Sequence, residues 1–83
     1  MNREWILFHL KEAHKELRGT IEEFEKRSDY DEGEYLVAMM HLYHHLNTAW
    51  NSKDVSDEDA RTSSDESFSK WRQFPPDIDM SVD

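Results

Sequence analysis

A stretch of eighteen residues without a charged side chain constrains the fold more than any other feature of this sequence. Residues 35–52, YLVAMMHLYHHLNTAWNS, contain no Asp, Glu, Lys or Arg, although charged residues make up 35% of the chain. Two adjacent histidines, together with Asn, Thr and Ser, make the stretch too polar for a membrane-spanning helix. It therefore predicts a helix that is buried on more than one side.

This helix has two different faces. One carries large apolar side chains, and we expect it to pack on the first helix of the chain: Tyr35, Leu36, Met39, Leu42, Tyr43, Leu46 and Trp50. The other is smaller and more polar, and we expect it to meet a third element or a second copy of the chain: Val37, His41, His44, His45 and Thr48.

The preceding residues 3–27 predict one long amphipathic helix. Apolar side chains recur at alternating steps of four and three, which places them on one stripe at about 100° per residue. The stripe consists of Ile6, Leu10, Ala13, Leu17, Thr20 or Ile21, and Phe24. Trp5 and Phe8 lie off this stripe, so another part of the chain must cover them.

A short acidic turn joins the two helices. In SDYDEGE, residues 28–34, Asp29 with Glu32 or Asp31 with Glu34 resembles a capping box at the start of the second helix. That helix is expected to begin at residue 30 or 31 and to end at residue 52. A connection this short predicts an antiparallel helical hairpin over residues 1–53.

The composition changes after the hairpin. Residues 54–63 form an acidic, serine-rich linker, and residues 64–83 predict a short helix, capped by Ser63 or Ser64, followed by an extended tail. Antiparallel packing brings Trp5, Phe8 and Trp50 to one end of the hairpin. We expect Phe68, Trp71 and Phe74 to close an aromatic cluster there, either within the same chain or across a dimer.

The three histidines of the second helix have the spacing of a metal site. His41 lies three residues before His44 and four before His45, and both spacings place side chains on one helix face. A stable site needs three or four donors, and this helix supplies no carboxylate after Glu34. We therefore interpret the histidines as a hydrogen-bonded, semi-polar face and predict neither a metal nor another cofactor.

The net charge of the chain makes some classes of binding partner unfavourable. The formal net charge is −9, which disfavours nucleic acid and anionic membranes because both attract basic surfaces. The chain has no cysteine, and we find no leader segment and no spanning segment, so a cytoplasmic location is expected. No paired carboxylates, nucleophile with a base, or phosphate-binding loop is present, so we do not expect an enzyme.

An 83-residue chain forms one small domain with a thin core. We predict an all-α fold in which two hairpins pair into a homodimer resembling a four-helix bundle. The predicted function is a non-enzymatic self-association or protein-interaction module. Two alternatives stay open: a monomeric adaptor that binds another protein, and a histidine-dependent metal-binding or pH-responsive protein. The predicted interaction residues are Trp5, Phe8, Val37, His41, His45, Trp50, Phe68, Trp71 and Phe74.

Overall fold

Two long antiparallel helices dominate the structure, a computed structural model that describes residues 1–81. The helices are α1 (Arg3–Lys26), α2 (Glu32–Asn51), α3 (Asp57–Arg61) and α4 (Asp65–Trp71). The predicted all-α hairpin is confirmed, because α1 packs on α2 and the described residues contain no β-strand. Pairing of two hairpins stays a prediction. Residues 82 and 83, the last two of the predicted tail, lie outside the described residues.

Each helix begins at a side chain that accepts a backbone hydrogen bond. Asp31 accepts from the N–H of Glu34, so the second of the two predicted capping arrangements is the one formed. Ser64 likewise caps α4, and Ser56 caps α3 within the predicted linker. A short side-chain oxygen at these positions satisfies one of the free N–H groups of the first helical turn. Residues 54–63 are therefore partly helical rather than a plain linker.

An ion-pair cluster centred on Arg27 holds the turn between α1 and α2. Its guanidinium donates to Glu23 and Glu34 at 2.8 Å each, and to Asp29 at 3.2 Å. These hydrogen bonds hold the pKa of Arg27 above its usual range, and the bond from Arg27 lowers the pKa of Asp29. Glu34 therefore binds across the hairpin instead of completing a capping box with Asp31.

At the end of the hairpin away from the turn, Asn2 joins the start of α1 to the segment that follows α2. Its side chain caps α1 by accepting from the N–H of Trp5, and its Nδ2 donates to the carbonyl of Val55 at 2.9 Å. The indole N–H of Trp5 donates to Ser52 Oγ at 2.7 Å. Both ends of the helix pair are thus fixed by polar contacts.

Small side chains, not large apolar ones, form the contact between α1 and α2. Within the two long helices, the buried apolar residues are Ala13, Ala38 and Ala49. Four polar residues are buried with them: His9, Asn47, Thr48 and Ser52. We call this contact the small-residue seam. Such side chains fill little space between two helices, so the larger neighbours are left at its edges.

The predicted packing faces are only partly covered. Ala13 is buried, Ile6, Met39 and Leu42 are half-buried, and the rings of Phe24 and Tyr35 meet across the two helices. On α1, the stripe residues Leu10, Leu17, Ile21 and Phe24 are 43–55% exposed. On α2, Tyr35, Leu36, Tyr43, Leu46 and Trp50 are 39–60% exposed instead of covered by α1. The side of α2 that meets α1 includes Thr48, which is fully buried, and His45, which contacts His9. On α1 the small stripe residue Ala13 lies at the contact, whereas on α2 the buried residues Ala38, Thr48 and Ala49 are not members of the predicted face.

No helix among the described residues is long and apolar enough to cross a membrane.

The small-residue seam predicts a strong dependence on side-chain size at Ala13. Ala13→Leu introduces bulk where only 4% of the residue is exposed, and should lower the free energy of unfolding by about 1–3 kcal/mol. The exposed control on the same helix, Lys11→Leu, should change it by no more than about 0.5 kcal/mol. Urea unfolding followed by circular dichroism measures both. Equal effects of the two substitutions would contradict the seam.

Candidate interaction surface

One side of the hairpin is a continuous surface of large apolar side chains. We call it the apolar face and define it by seven exposed residues: Leu10, Leu17, Ile21 and Phe24 of α1 with Tyr35, Leu46 and Trp50 of α2. The two helices contribute to the same side, because Leu10 and Leu46 line one recess and the rings of Phe24 and Tyr35 lie 5.2 Å apart. Exposed apolar surface of this extent is typical of interaction sites.

The apolar face is not flat. A recess of about 300 Å³ lies at the end where α1 begins and α2 ends, and its lining is almost entirely apolar: Met1, Ile6, Leu10, Leu46, Ala49, Trp50 and Lys53. At the other end of the face, the aromatic ring of Phe24 is 55% exposed beside Tyr30 and Tyr35. The face therefore has a concave end and an end with an exposed aromatic ring.

The opposite side of the hairpin is polar. A groove there is lined by Glu12, Lys15, Glu16, Gly19, Thr20, Glu23, Tyr30, Ala38 and His45. His41 Nδ1 lies 3.8 Å from Glu16 Oε1, and the His41 side chain is 62% exposed. The apolar face is bordered on α1 by Arg18, Glu22 and Glu25, which line a shallow recess with Leu17 and Ile21.

The predicted aromatic cluster forms within one chain, but with fewer members than expected. The ring centroids of Trp5 and Trp71 lie 6.1 Å apart, and Phe68 lies 6.1 Å from Trp71. Phe8 stacks on Trp5 at 6.4 Å but is 52% exposed. Phe74 is 52% exposed and outside these ring pairs. Trp50 belongs to the apolar face, and Val37 is 51% exposed on α2.

Side-chain amides of α2 hold the end of α4 in place, a role that sequence reasoning missed. We call residues 65–81 the strap. Asn51 Nδ2 donates to the carbonyls of Trp71 and Gln73, both at 2.7 Å, and Asn47 Nδ2 donates to Arg72 O at 2.9 Å. The available signal was the pair of Asn residues four apart in an uncharged helix, which places two amides on one face.

A further contact holds the strap against Trp50 of the apolar face. The indole N–H of Trp50 donates to the carboxylate of Asp77 at 3.0 Å, and Lys53 Nζ lies 4.4 Å from the Trp50 ring. Pro75 is buried between these anchor points. The strap therefore crosses α2 from the aromatic cluster to the recess.

The amide anchors predict that the strap detaches when Asn51 can no longer donate. Asn51→Asp keeps the shape but places a carboxylate against two carbonyl oxygens, which should lower the free energy of unfolding by about 1–3 kcal/mol. Lys70→Gln, an exposed control on the strap with the same change in net charge, should leave it nearly unchanged. Limited proteolysis after Arg61 reports detachment. A strap equally resistant in both variants would contradict the anchoring role.

The structure brings His9 together with His44 and His45 and separates them from His41. His9 is 3% exposed, and its Nδ1 lies 3.1 Å from His45 Nδ1. His44 packs against both rings and against Phe68. Among residues 1–81, no group of three or more His, Cys, Asp or Glu side chains is placed to hold a metal ion. The geometry is that of a hydrogen-bonded pair within the seam.

The short contact between two Nδ1 atoms requires one ring to donate and the other to accept. His9 Nε2 is buried without a hydrogen-bond partner among the described residues. A buried lone pair without a partner costs less than a buried N–H without one, so we assign the donor role to His9 Nδ1. Burial, and then the charges of His45 and His44, lower the pKa of His9 to about 4. Burial also lowers the pKa of His44.

This pair predicts that acid destabilises the hairpin. The pKa of His9 is about 4 in the folded chain and near 6.5 when unfolded, so the stabilising contribution is complete above pH 6.5. It is lost as the pH falls towards 4, by about 3 kcal/mol in all. His9→Asn keeps a donor to His45 without titrating and should flatten the pH dependence of urea unfolding, above all between pH 6.5 and 5.

The exposed residue His14 supplies the control for this measurement. His14→Asn removes one histidine from the same helix and should preserve the pH dependence of the native chain. A His9→Asn variant with unchanged pH dependence would contradict the buried pair as its source.

Comparison with known proteins gives no matching family model, no matching curated protein and no matching solved structure.

Proposed function

We propose that this chain is a non-enzymatic protein-interaction module that self-associates through its apolar face. One observation carries the proposal. The buried apolar residues of α1 and α2 are three alanines, whereas the seven large residues of the apolar face are each 39–55% exposed. A hairpin that leaves its large apolar side chains in contact with water gains little hydrophobic stabilisation by itself. Covering the apolar face adds the hydrophobic stabilisation that the small-residue seam does not provide.

The exposed area is of the size that an interface needs. With about 200 Å² for a fully exposed side chain of this kind, the seven residues together expose about 600 Å². A stable protein–protein interface of standard size buries about 800 Å² on each partner. Leu36, Met40 and Tyr43, which are 48–61% exposed on the outer side of α2, extend the apolar surface further. This agreement in area supports a homodimer.

The distribution of charge also supports self-association. Two copies with a net charge of −9 repel each other, so surfaces that meet should carry few acids at their centre. On α1, Arg18, Glu22 and Glu25 border the apolar face beside Leu17 and Ile21. The part of α2 that contributes to the apolar face, from Tyr35 onward, has no charged residue before Lys53. The acids Glu12, Glu16 and Glu23 line the groove on the opposite side. The proposal retains a cytoplasmic setting and excludes nucleic acid and membranes as partners.

A monomeric adaptor is the second candidate. A recess of about 700 Å³ between α2 and the strap is lined by Leu36, Met39, Met40, His41, Tyr43, His44, Arg72 and Gln73. Methionine side chains adapt to different partners, and this recess lies apart from the first one. In this candidate a foreign protein covers the exposed surface of α2, and the isolated chain is a monomer.

The proposal predicts a dimer that Leu17→Glu breaks. The substitution places a carboxylate near the middle of α1 on the apolar face, and it should raise the dimer dissociation constant by about a hundredfold or more. Lys15→Gln, which changes the net charge by the same amount at an exposed position of the same helix, should leave it unchanged. Sedimentation equilibrium across a wide concentration range, with a chelator present, measures both.

Circular dichroism of the variants separates loss of assembly from loss of folding. A monomeric native chain would contradict self-association and direct attention to the adaptor. A dimer that tolerates Leu17→Glu would show that the apolar face is not the interface.

A further inference from the structure

We infer that two copies pair antiparallel, with α1 on α1 and α2 on α2 of the second copy, so that Phe24 of each copy enters the recess of the other. The inference rests on the proposed function and adds to it the partner, the orientation and the register. Three observations carry it: the two unlike ends of the apolar face, the position midway between them, and the placement of the strap.

The two ends of the face are complementary in shape and polarity. The recess at one end has a volume of about 300 Å³ and almost no polar lining. A dry apolar cavity of about 150 Å³ suffices to bind benzene, so a phenyl ring fits this space. At the other end the ring of Phe24 is 55% exposed. A two-fold axis across the helices brings each ring to the partner's recess, because every contact in such an interface occurs twice.

The positions of the two ends fix the centre of the pairing. Leu10 lines the recess, and Phe24 lies fourteen residues further along the same helix. If Leu10 of one copy lies opposite Phe24 of the other, the two-fold axis passes beside residue 17. That residue is Leu17, which is 45% exposed on the apolar face. The central contact of the interface would then be Leu17 with Leu17, two apolar side chains rather than two like charges.

Pairing about the same axis also brings the two copies of α2 into contact. Contacts across one hairpin place His9 beside His45 and Glu16 beside His41, so the level of Leu17 on α2 is near residue 40. Antiparallel pairing about this level brings Leu46 of one copy towards Tyr35 of the other. No charged residue of α2 lies between these two positions.

The position of the strap favours the antiparallel orientation over the parallel one. The strap reaches Trp50 through Asp77, so it lies at the recess end of its hairpin. Parallel pairing would place the two straps side by side next to the interface. Antiparallel pairing keeps them at opposite ends.

Disulfide cross-linking tests the orientation, because the native chain has no cysteine. A disulfide requires Cα atoms within about 7 Å, so only residues that face each other across the axis react. Leu17→Cys should form a disulfide-linked dimer readily under mild oxidation. Leu10→Cys alone and Phe24→Cys alone should not, whereas a mixture of the two should form the mixed dimer. Lys15→Cys, outside the apolar face, is the control for random collision.

The outcomes separate this inference from the proposed function. A native dimer in which Leu10→Cys alone links to itself would overturn the antiparallel orientation and leave self-association intact, whether or not Leu17→Cys also cross-links. A native chain that is monomeric by sedimentation would overturn both. A Leu17→Cys dimer together with the mixed Leu10–Phe24 dimer supports the orientation and the register. Sedimentation of each reduced variant confirms that the substitution itself has not dissociated the dimer.

Discussion

The contact between α1 and α2 through small side chains determines the rest of this structure. Ala13, Ala38 and Ala49 fill the seam together with Thr48 and Ser52, and none of them brings much apolar area out of water. The large side chains that flank the seam are consequently left half exposed. In most helical hairpins the large side chains fill the contact and the surface is polar. Here one surface is apolar, and the proposed interaction follows from that arrangement.

Polar contacts at both ends compensate for the sparse apolar core. Arg27 links three carboxylates around the turn, and Asn2 links the first turn of α1 to the segment after α2. Asn47 and Asn51 hold the strap by its backbone carbonyls rather than by its aromatic side chains alone. Hydrogen bonds depend on direction more strongly than apolar contacts, so they fix the geometry of a chain whose packing is loose.

The sequence predicted the elements better than their contacts. Helical periodicity and capping residues placed α1, α2 and α4, because both signals depend on neighbouring residues only. The stripe on α1 was identified, yet a stripe about 100° wide does not reveal which of its members touch the other helix. Ala13 is buried, while Leu17 on the same stripe is 45% exposed. We expected the largest side chains to form the contact between α1 and α2, but the smallest ones form it.

Some contacts of the candidate site were predicted and others were not, for the same reason. Trp5, Phe68 and Trp71 were expected to meet because chain connectivity brings them to one end. His45 was expected on a face free for partners, but its contact is His9, which the sequence alone did not connect with it. The roles of Asn47 and Asn51 depend on where α4 ends relative to α2, a tertiary relation that no local pattern records.

The small-residue seam also has a thermodynamic consequence. The heat capacity of unfolding rises mainly with the apolar area that becomes exposed, by about 0.45 cal/K/mol for each Å². Side chains that are already 39–55% exposed in the folded chain add little to it. The stability curve of a single hairpin is therefore broad and shallow, with only weak cold destabilisation. In the paired state the covered apolar face contributes much of the curvature, so the temperature of maximum stability becomes a property of the assembly rather than of the chain.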